Sequence, residues 1–182
     1  MNPATSTLDA PSPSLQSAAR VAVVAALSAT TMLFASLVSA YLVRRSFADW
    51  RPFSADWPVA LLALAFAASV GIELASRAQG RRRRLGFLAL ALGSGLYLVG
   101  AFAVIVSVTS APEGLEAPFN AFVVLLLGLH AIHAVVGGAF AWWIVGAGKG
   151  EGPESVLLLG RLVTHFLTAL LCAILFLLFV LR

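Results

Sequence analysis

One stretch of this sequence decides the class of fold: residues 119–145 read FNAFVVLLLGLHAIHAVVGGAFAWWIV. The stretch contains no charged side chain. Apart from its two tryptophans, its only polar side chains are those of one asparagine and two histidines. An α-helix needs about 20 predominantly apolar residues to cross the ~30 Å hydrocarbon core of a bilayer. The length and composition of this stretch therefore predict a membrane-spanning helix.

Four further apolar runs accompany it, at residues 21–43, 58–76, 85–108 and 156–181. Each is near or above the length of a spanning helix. None alternates apolar and polar residues with the period of two that is typical of a transmembrane barrel strand. Because only helices and closed barrels satisfy backbone polar groups in lipid, the sequence predicts an all-α integral membrane bundle of five transmembrane helices.

The predicted bundle occupies residues 20–182 as one domain. Residues 1–19 are rich in Pro, Ser, Thr and Ala and carry no basic residue. A signal peptide would begin with a positively charged region, so we expect a short disordered tail that stays in the cytoplasm.

Charge is scarce and unevenly placed. Hydrophobic residues make up 60% of the chain and charged residues 11%, whereas about a quarter of an ordinary soluble domain is charged. A cluster of arginines separates the second run from the third: Arg77, Arg81, Arg82, Arg83 and Arg84. Such a cluster indicates a cytoplasmic loop that contacts anionic lipid headgroups rather than nucleic acid. We therefore predict a multi-pass protein whose N-terminus is cytoplasmic and whose C-terminus lies outside.

Only one of the eight acidic residues, Glu73, falls within an apolar run. Arg77 follows four positions later, so the two side chains are predicted to pair on one helical face. No run carries a carboxylate near its middle. This argues against an ion-coupled transporter, which places titratable groups at that depth.

All three histidines of the chain lie inside apolar runs, at His130, His133 and His165. His130 and His133 are three positions apart and share a helical face. Neutral imidazole ligates metals and haem iron, so one interpretation is a small membrane haem or metal protein that uses all three rings. The other interpretation, which the spacing favours, is that each ring bonds a neighbouring helix or a backbone carbonyl and fixes the packing.

The surroundings of the histidines also favour packing. Gly137 lies one turn after His133, where a small residue lets two helices approach closely. On the last run, Arg161, His165 and Thr168 form a polar stripe. Arg161 is expected to extend toward lipid headgroups, and His165 and Thr168 to bond another helix. The predicted packing positions are His130, His133, Gly137, His165 and Thr168; the predicted headgroup contacts are Arg81, Arg82, Arg83, Arg84 and Arg161.

The sequence around the first two histidines carries a family resemblance. Residues 128–138 read GLHAIHAVVGG, which resembles the signature of cytochrome c oxidase subunit III: a glycine, two histidines three apart, then a glycine. Residues 29–45 read ATTMLFASLVSAYLVRR, similar to the first helix of that family's short, five-helix bacterial form. Residues 164–171 read THFLTALL and are similar to part of its last helix. The resemblance extends in order from about residue 21 to 181.

The resemblance implies a non-catalytic accessory subunit of a bacterial haem-copper terminal oxidase, the enzyme that reduces oxygen in aerobic respiratory electron transport. It implies oxidase subunits I and II and phospholipid as partners, with haem and copper held by those subunits and none in this chain. It implies no catalytic, cofactor-binding or metal-binding residue here, and a place in the bacterial inner membrane. Whether the complex joins a larger respiratory supercomplex stays open.

This chain departs from the family pattern in its first, third and last runs. The third run lacks the glutamine and glutamate commonly seen there and has small residues such as Gly100 and Ala103 instead. Thr30 stands where a buried glutamate is usual, and Thr164 and Thr168 replace a tryptophan and an aspartate of the last helix. The resemblance therefore carries over four positions as packing and hydrogen-bonding residues: His130, His133, Gly137 and His165. Two alternatives stay open, an accessory subunit of a quinol oxidase or nitric oxide reductase and the small haem or metal protein described above.

Overall fold

The computed structural model describes residues 13–50, 57–147 and 154–180. Within these ranges the chain forms five α-helices: α1 Pro13–Arg44, α2 Trp57–Arg77, α3 Gly80–Thr109, α4 Pro118–Ala147 and α5 Glu154–Phe179. A single 3-10 turn, Gly114–Glu116, lies between α3 and α4. Each of the five α-helices contains a segment long and apolar enough to cross a membrane. The predicted all-α bundle of five transmembrane helices is confirmed.

Two helix boundaries correct the sequence prediction. Helix α1 begins at Pro13, so residues 13–19 are helical rather than part of a disordered tail; residues 1–12 lie outside the described part. The four arginines Arg81, Arg82, Arg83 and Arg84 lie in the first turns of α3 rather than in a loop. A very short connection is possible because Gly80 adopts a φ of 57°, a left-handed conformation that favours glycine.

Helices α2 and α3 pack with backbone against backbone. A Cβ added at Gly71 of α2 would lie 2.4 Å from the backbone nitrogen of Leu90 in α3. A Cβ added at Gly86 of α3 would lie 2.3 Å from the backbone nitrogen of Ala75, and one at Gly93 would lie 2.7 Å from the backbone of α2. Membrane helices lack a hydrophobic driving force for association and depend on such close approach. The α2–α3 pair is thus the most closely packed part of the bundle.

Helices α4 and α5 join this pair to the rest of the molecule, since α4 packs against α3, α5 packs against α2, and the two pack against each other. Helix α1 packs against α4 and α5. It is also the least buried span: 11% of the residues in its most apolar segment are buried, against 39% in α2 and in α5.

An aromatic cluster closes the end of the bundle where α1 and α5 finish. The ring of Tyr41 contacts Trp50 and Phe122 edge to face, with centroids 5.1 and 5.6 Å apart. Trp50 also contacts Phe119, which in turn contacts Phe179. The Tyr41 hydroxyl donates a hydrogen bond of 3.1 Å to the carbonyl of Leu177 and so ties α1 to α5. We call this the aromatic end.

The opposite end of the bundle, where α2 finishes and α3 and α5 begin, holds Arg77, the four arginines of α3 and Arg161. We call it the arginine end. Between the two ends the outer surface is apolar, with Met32 and Val59 each 76% exposed and Phe102 68% exposed. Such a surface is stable only in contact with lipid or another apolar protein, which places the molecule in a membrane as a multi-pass protein.

Candidate functional site

A charged cluster joins α2 to α5 near the arginine end. One carboxylate oxygen of Glu73, Oε2, accepts a bond of 2.7 Å from Arg77 Nε, one helical turn away. The other, Oε1, accepts bonds of 2.7 Å from Arg161 Nε and 2.8 Å from His165 Nε2, both on α5. The predicted Glu73–Arg77 pair is confirmed, and Glu73 is also the main polar link between the two helices.

The Glu73 and Arg161 side chains are only 26% and 22% exposed, so their interaction is less screened by solvent than a surface pair. Both guanidinium groups are charged, so the single carboxylate of Glu73 balances only one of them. Arg161 was expected to extend toward lipid headgroups; in the structure its Nε is bonded to Glu73, and the headgroup contact stays a prediction.

A second polar contact lies one turn deeper along the same interface. The hydroxyls of Ser69 on α2 and Thr168 on α5 are 2.7 Å apart. Thr168 also reaches the carbonyls of Ala65 at 3.3 Å and Thr164 at 3.1 Å. Because a hydroxyl has one proton and these carbonyls can only accept, Thr168 donates to them and Ser69 donates to Thr168. His165 and Thr168 of α5 thus both bond residues of α2.

His130 joins three helices at the centre of the bundle, where it is 2% exposed. Its Nε2 lies 2.9 Å from the carbonyl of Leu167 on α5, and its Nδ1 lies 2.5 Å from the hydroxyl of Tyr97 on α3. Since the carbonyl can only accept, Nε2 carries the proton and Nδ1 accepts from Tyr97. Both nitrogens of the neutral ring are therefore used in bonds between helices, as expected of a packing residue.

His133 is bonded differently. Its Nδ1 lies 2.8 Å from the carbonyl of Leu129, one turn earlier in the same helix. Its ring meets Phe34 of α1 edge to face, with centroids 5.8 Å apart. A backbone carbonyl was one of the two expected partners, the other being a neighbouring helix. The contact with α1 is the aromatic one with Phe34.

The three histidines do not converge on one point. His130 bonds Tyr97 and Leu167, His133 bonds its own helix, and His165 bonds Glu73. Across residues 13–50, 57–147 and 154–180, no group of three or more His, Cys, Asp or Glu side chains is arranged to hold a metal ion. The geometry of the described residues gives no support to the alternative of a three-histidine haem or metal site.

Gly137 lies where α4 meets α5. A Cβ added there would lie 2.5 Å from Leu167 Cδ1 and 3.0 Å from Val163 Cγ1. The neighbouring Gly138 has open space around it, with no atom within 4 Å of an added Cβ. Of these two small residues, therefore, only Gly137 is in close contact with α5.

The four arginines at the start of α3 present their charge at one end of the bundle. Arg81, Arg82 and Arg84 are exposed. The guanidinium carbon of Arg83 lies 5.6 Å from the centroid of the Phe87 ring, within the range of a cation–π contact. These side chains are therefore accessible to lipid headgroups, and the predicted contact stays a prediction.

Two features of the site were missed at the level of sequence. The pairing of Glu73 with Arg161 and His165 joins residues 88 and 92 positions apart, and no local spacing signals it. The hydroxyl of Tyr97 was likewise not assigned as the partner of His130. A signal was present, since a tyrosine in the middle of an apolar run needs a hydrogen-bond partner.

Comparison of the chain with protein-family models, with curated proteins and with solved structures finds no match. The class that the fold defines is a five-helix, multi-pass membrane protein whose interior polar groups connect its helices.

Proposed function

We propose that this chain is a non-catalytic accessory subunit of a bacterial haem-copper terminal oxidase. The sequence basis is the glycine–histidine motif of residues 128–138. The observation that carries the proposal is the bonding of His130, whose two nitrogens are both used to hold α3, α4 and α5 together. A ring used in this way stabilises a scaffold and has no free nitrogen for iron or copper.

In this proposal the haems and copper belong to oxidase subunits I and II, and this chain supports the catalytic subunit during oxygen reduction. The apolar outer surface would contact the partner subunits and phospholipid tails. Arg81, Arg82, Arg83 and Arg84, together with Arg161, would contact the lipid headgroups, because anionic headgroups attract basic side chains at the membrane surface.

We further propose that the arginine end faces the cytoplasm in the bacterial inner membrane, with the N-terminus inside and the C-terminus outside. Arg77 and the four arginines of α3 lie at this end, separated only by the short connection between α2 and α3. An excess of Arg and Lys marks the cytoplasmic side of bacterial membrane proteins. A cysteine introduced at exposed Ser110, beyond the far end of α3, should react with a membrane-impermeant thiol reagent added to whole cells.

The test of function is purification of the tagged chain in mild detergent, with identification of its partners by mass spectrometry and an optical spectrum of the eluate. Recovery with haem-copper oxidase subunits, together with their haem absorption, is the expected outcome. Recovery without any oxidase subunit would refute the proposal.

A matched pair of variants makes the result specific. Gly71→Leu, which places a side chain against the backbone of α3, should abolish recovery of the oxidase. Gly95→Leu, at a position with no atom within 4 Å of an added Cβ, should preserve it. The identity of the recovered subunits also shows whether the complex is a cytochrome c oxidase, a quinol oxidase or a nitric oxide reductase.

A further inference from the structure

A cavity of about 290 Å³ lies between α1, α4 and α5. Its volume is close to the lower end of the ~300–1,000 Å³ that small-molecule sites occupy. Its lining is mostly apolar and includes Val136, Phe140 and Val163. Val136 is also 67% exposed on the outer surface, so the cavity opens toward the lipid phase.

Two polar side chains, Thr30 and His133, line this cavity, and the protons of both are donated elsewhere. The Thr30 hydroxyl donates to the carbonyl of Ala26 at 2.9 Å. His133 Nδ1 lies 2.8 Å from the carbonyl of Leu129, and because that carbonyl can only accept, Nδ1 carries the proton. In the neutral ring Nε2 is then an acceptor, and no partner for it occurs among the described residues.

The polar atoms that these two lining side chains still have available are therefore acceptors: the lone pair of His133 Nε2 and those of the Thr30 hydroxyl oxygen. A ligand that only accepts hydrogen bonds, such as a ketone, a quinone or an ether, has nothing to bond to in this lining. A charged ligand is also disfavoured, because the lining contains no charged residue to compensate for its desolvation.

We propose that the cavity binds an uncharged, membrane-soluble molecule with an apolar body and a hydroxyl group, as in phenols and quinols. The hydroxyl donates to His133 Nε2, and the apolar body fills the space beside Val136, Phe140 and Val163. This binding does not depend on whether the chain is an oxidase subunit, so its test is separate from that of the proposed function.

The test uses the purified full-length chain in mild detergent, with ¹⁵N-labelled histidine and two probes of the same shape. The first probe, 2-naphthol, has a hydroxyl donor, and the second, 2-methoxynaphthalene, has only an acceptor. The ¹⁵N resonance of His133 Nε2 should shift when 2-naphthol is added and stay unchanged with the ether. We expect 2-naphthol to bind about fivefold more tightly, as one added hydrogen bond predicts.

Two variants complete the experiment. His133→Phe keeps an aromatic ring but removes the acceptor, so the fivefold preference should fall to about one while the ether binds as before. Ala26→Phe, on the α1 side of the cavity, should weaken binding of both probes.

Equal affinity of the wild-type chain for the two probes would overturn the proposal. So would a His133 Nε2 resonance that does not respond to 2-naphthol. This measurement is made on the wild-type chain and so does not depend on whether a variant folds. Persistence of the preference in His133→Phe would also overturn it.

Discussion

The α2–α3 pair and helix α1 use opposite ways of packing in the same membrane. In the pair, glycines bring backbone against backbone, as at Gly71, where an added Cβ would lie 2.4 Å from the Leu90 nitrogen. Helix α1 contains no glycine over its 32 residues, and the most apolar part of its span is only 11% buried. Where α1 passes α4 and α5 the helices leave a cavity of about 290 Å³ instead of a close contact.

The difference follows from how helices associate in lipid. Lipid tails are as apolar as leucine, so burying leucine gives little stabilisation and association depends on close van der Waals contact and hydrogen bonds. The α2–α3 pair has the close contact. Helix α1 is held by a few specific interactions, chiefly the bond of Tyr41 to Leu177 and the contact of Phe34 with His133. We therefore expect the pair to be the more rigid part of the bundle and α1 to be the part that adjusts to a ligand or a partner.

The strongest test of this comparison is Gly71→Leu. The new side chain would lie against the backbone of α3, which cannot rotate away as a side chain can, so we expect a loss of about 3 kcal/mol in the free energy of unfolding. The measurement is reversible unfolding in detergent, followed by circular dichroism.

Gly95→Leu is the control, because an added Cβ at Gly95 has open space. It should leave the unfolding transition unchanged within about 0.5 kcal/mol. If both variants unfolded like the wild-type chain, backbone contact would not be what stabilises the α2–α3 pair.

The second test concerns the interface between the α2–α3 pair and α5. Glu73→Gln keeps the size of the side chain but removes the charge that Arg161 and His165 share. We expect a loss of about 1.5–2 kcal/mol, the lower part of the range for bonds to charged groups, because the cluster is partly solvated. Double-mutant cycles with Arg161→Gln measure the coupling directly.

Glu113→Gln serves as the matched control, since Glu113 is exposed in the turn after α3. It should unfold as the wild-type chain does. A coupling energy of zero between Glu73 and Arg161 would mean that the charged cluster does not hold α5 to α2.

The sequence was sufficient to predict the five spans, because each helix in lipid must present a continuous apolar run. The Glu73–Arg77 pair could also be predicted, because its spacing of four positions is fixed by the helix itself. The partners Arg161 and His165 could not, since their distance from Glu73 depends on how α5 is rotated and displaced relative to α2. Spacing within one helix carries no information on that rotation.

The glycine contacts show the same limit. Gly137 and Gly93 lie on stripes of small residues that could be recognised from spacing, and both are close contacts in the structure. Gly138 and Gly95 lie on equally regular stripes and face open space. A stripe predicts that a helix can approach a neighbour, but which stripe does so is decided by the whole bundle. A charged run such as residues 81–84 predicts a loop, whereas in the structure these arginines lie in the first turns of α3.

A third test addresses the attachment of α1. Tyr41→Phe removes the bond to the Leu177 carbonyl and keeps the ring in the aromatic cluster. The expected loss is about 0.6 kcal/mol, the average for a hydrogen bond between membrane helices. Hydrogen exchange should accelerate in the last turns of α1 and stay unchanged in α2 and α3.

Tyr97→Phe sharpens the contrast, because it removes the only donor to the buried Nδ1 of His130 among the described residues. A buried group left without its partner costs about 1–3 kcal/mol, so this variant should lose more stability than Tyr41→Phe. An equal or larger loss in Tyr41→Phe would mean that α1 is held as firmly as the centre of the bundle.

The smallest expected effect lies just beyond the end of α1, where Asp49 pairs with Arg44. The hydrogen bond from this guanidinium holds the pKa of the Asp49 carboxyl below its usual value of 3.8. Because the folded-state pKa is the lower one, the pair favours the folded chain at pH values above the usual value. That contribution is lost as the pH falls through the lowered pKa. The wild-type chain should therefore melt slightly above Asp49→Asn at neutral pH, and the difference should vanish only in acid below the lowered pKa, which itself lies below 3.8. Glu113→Gln should show no such pH-dependent difference. If the Asp49→Asn difference persisted in strong acid, the effect of the substitution would not come from the ion pair.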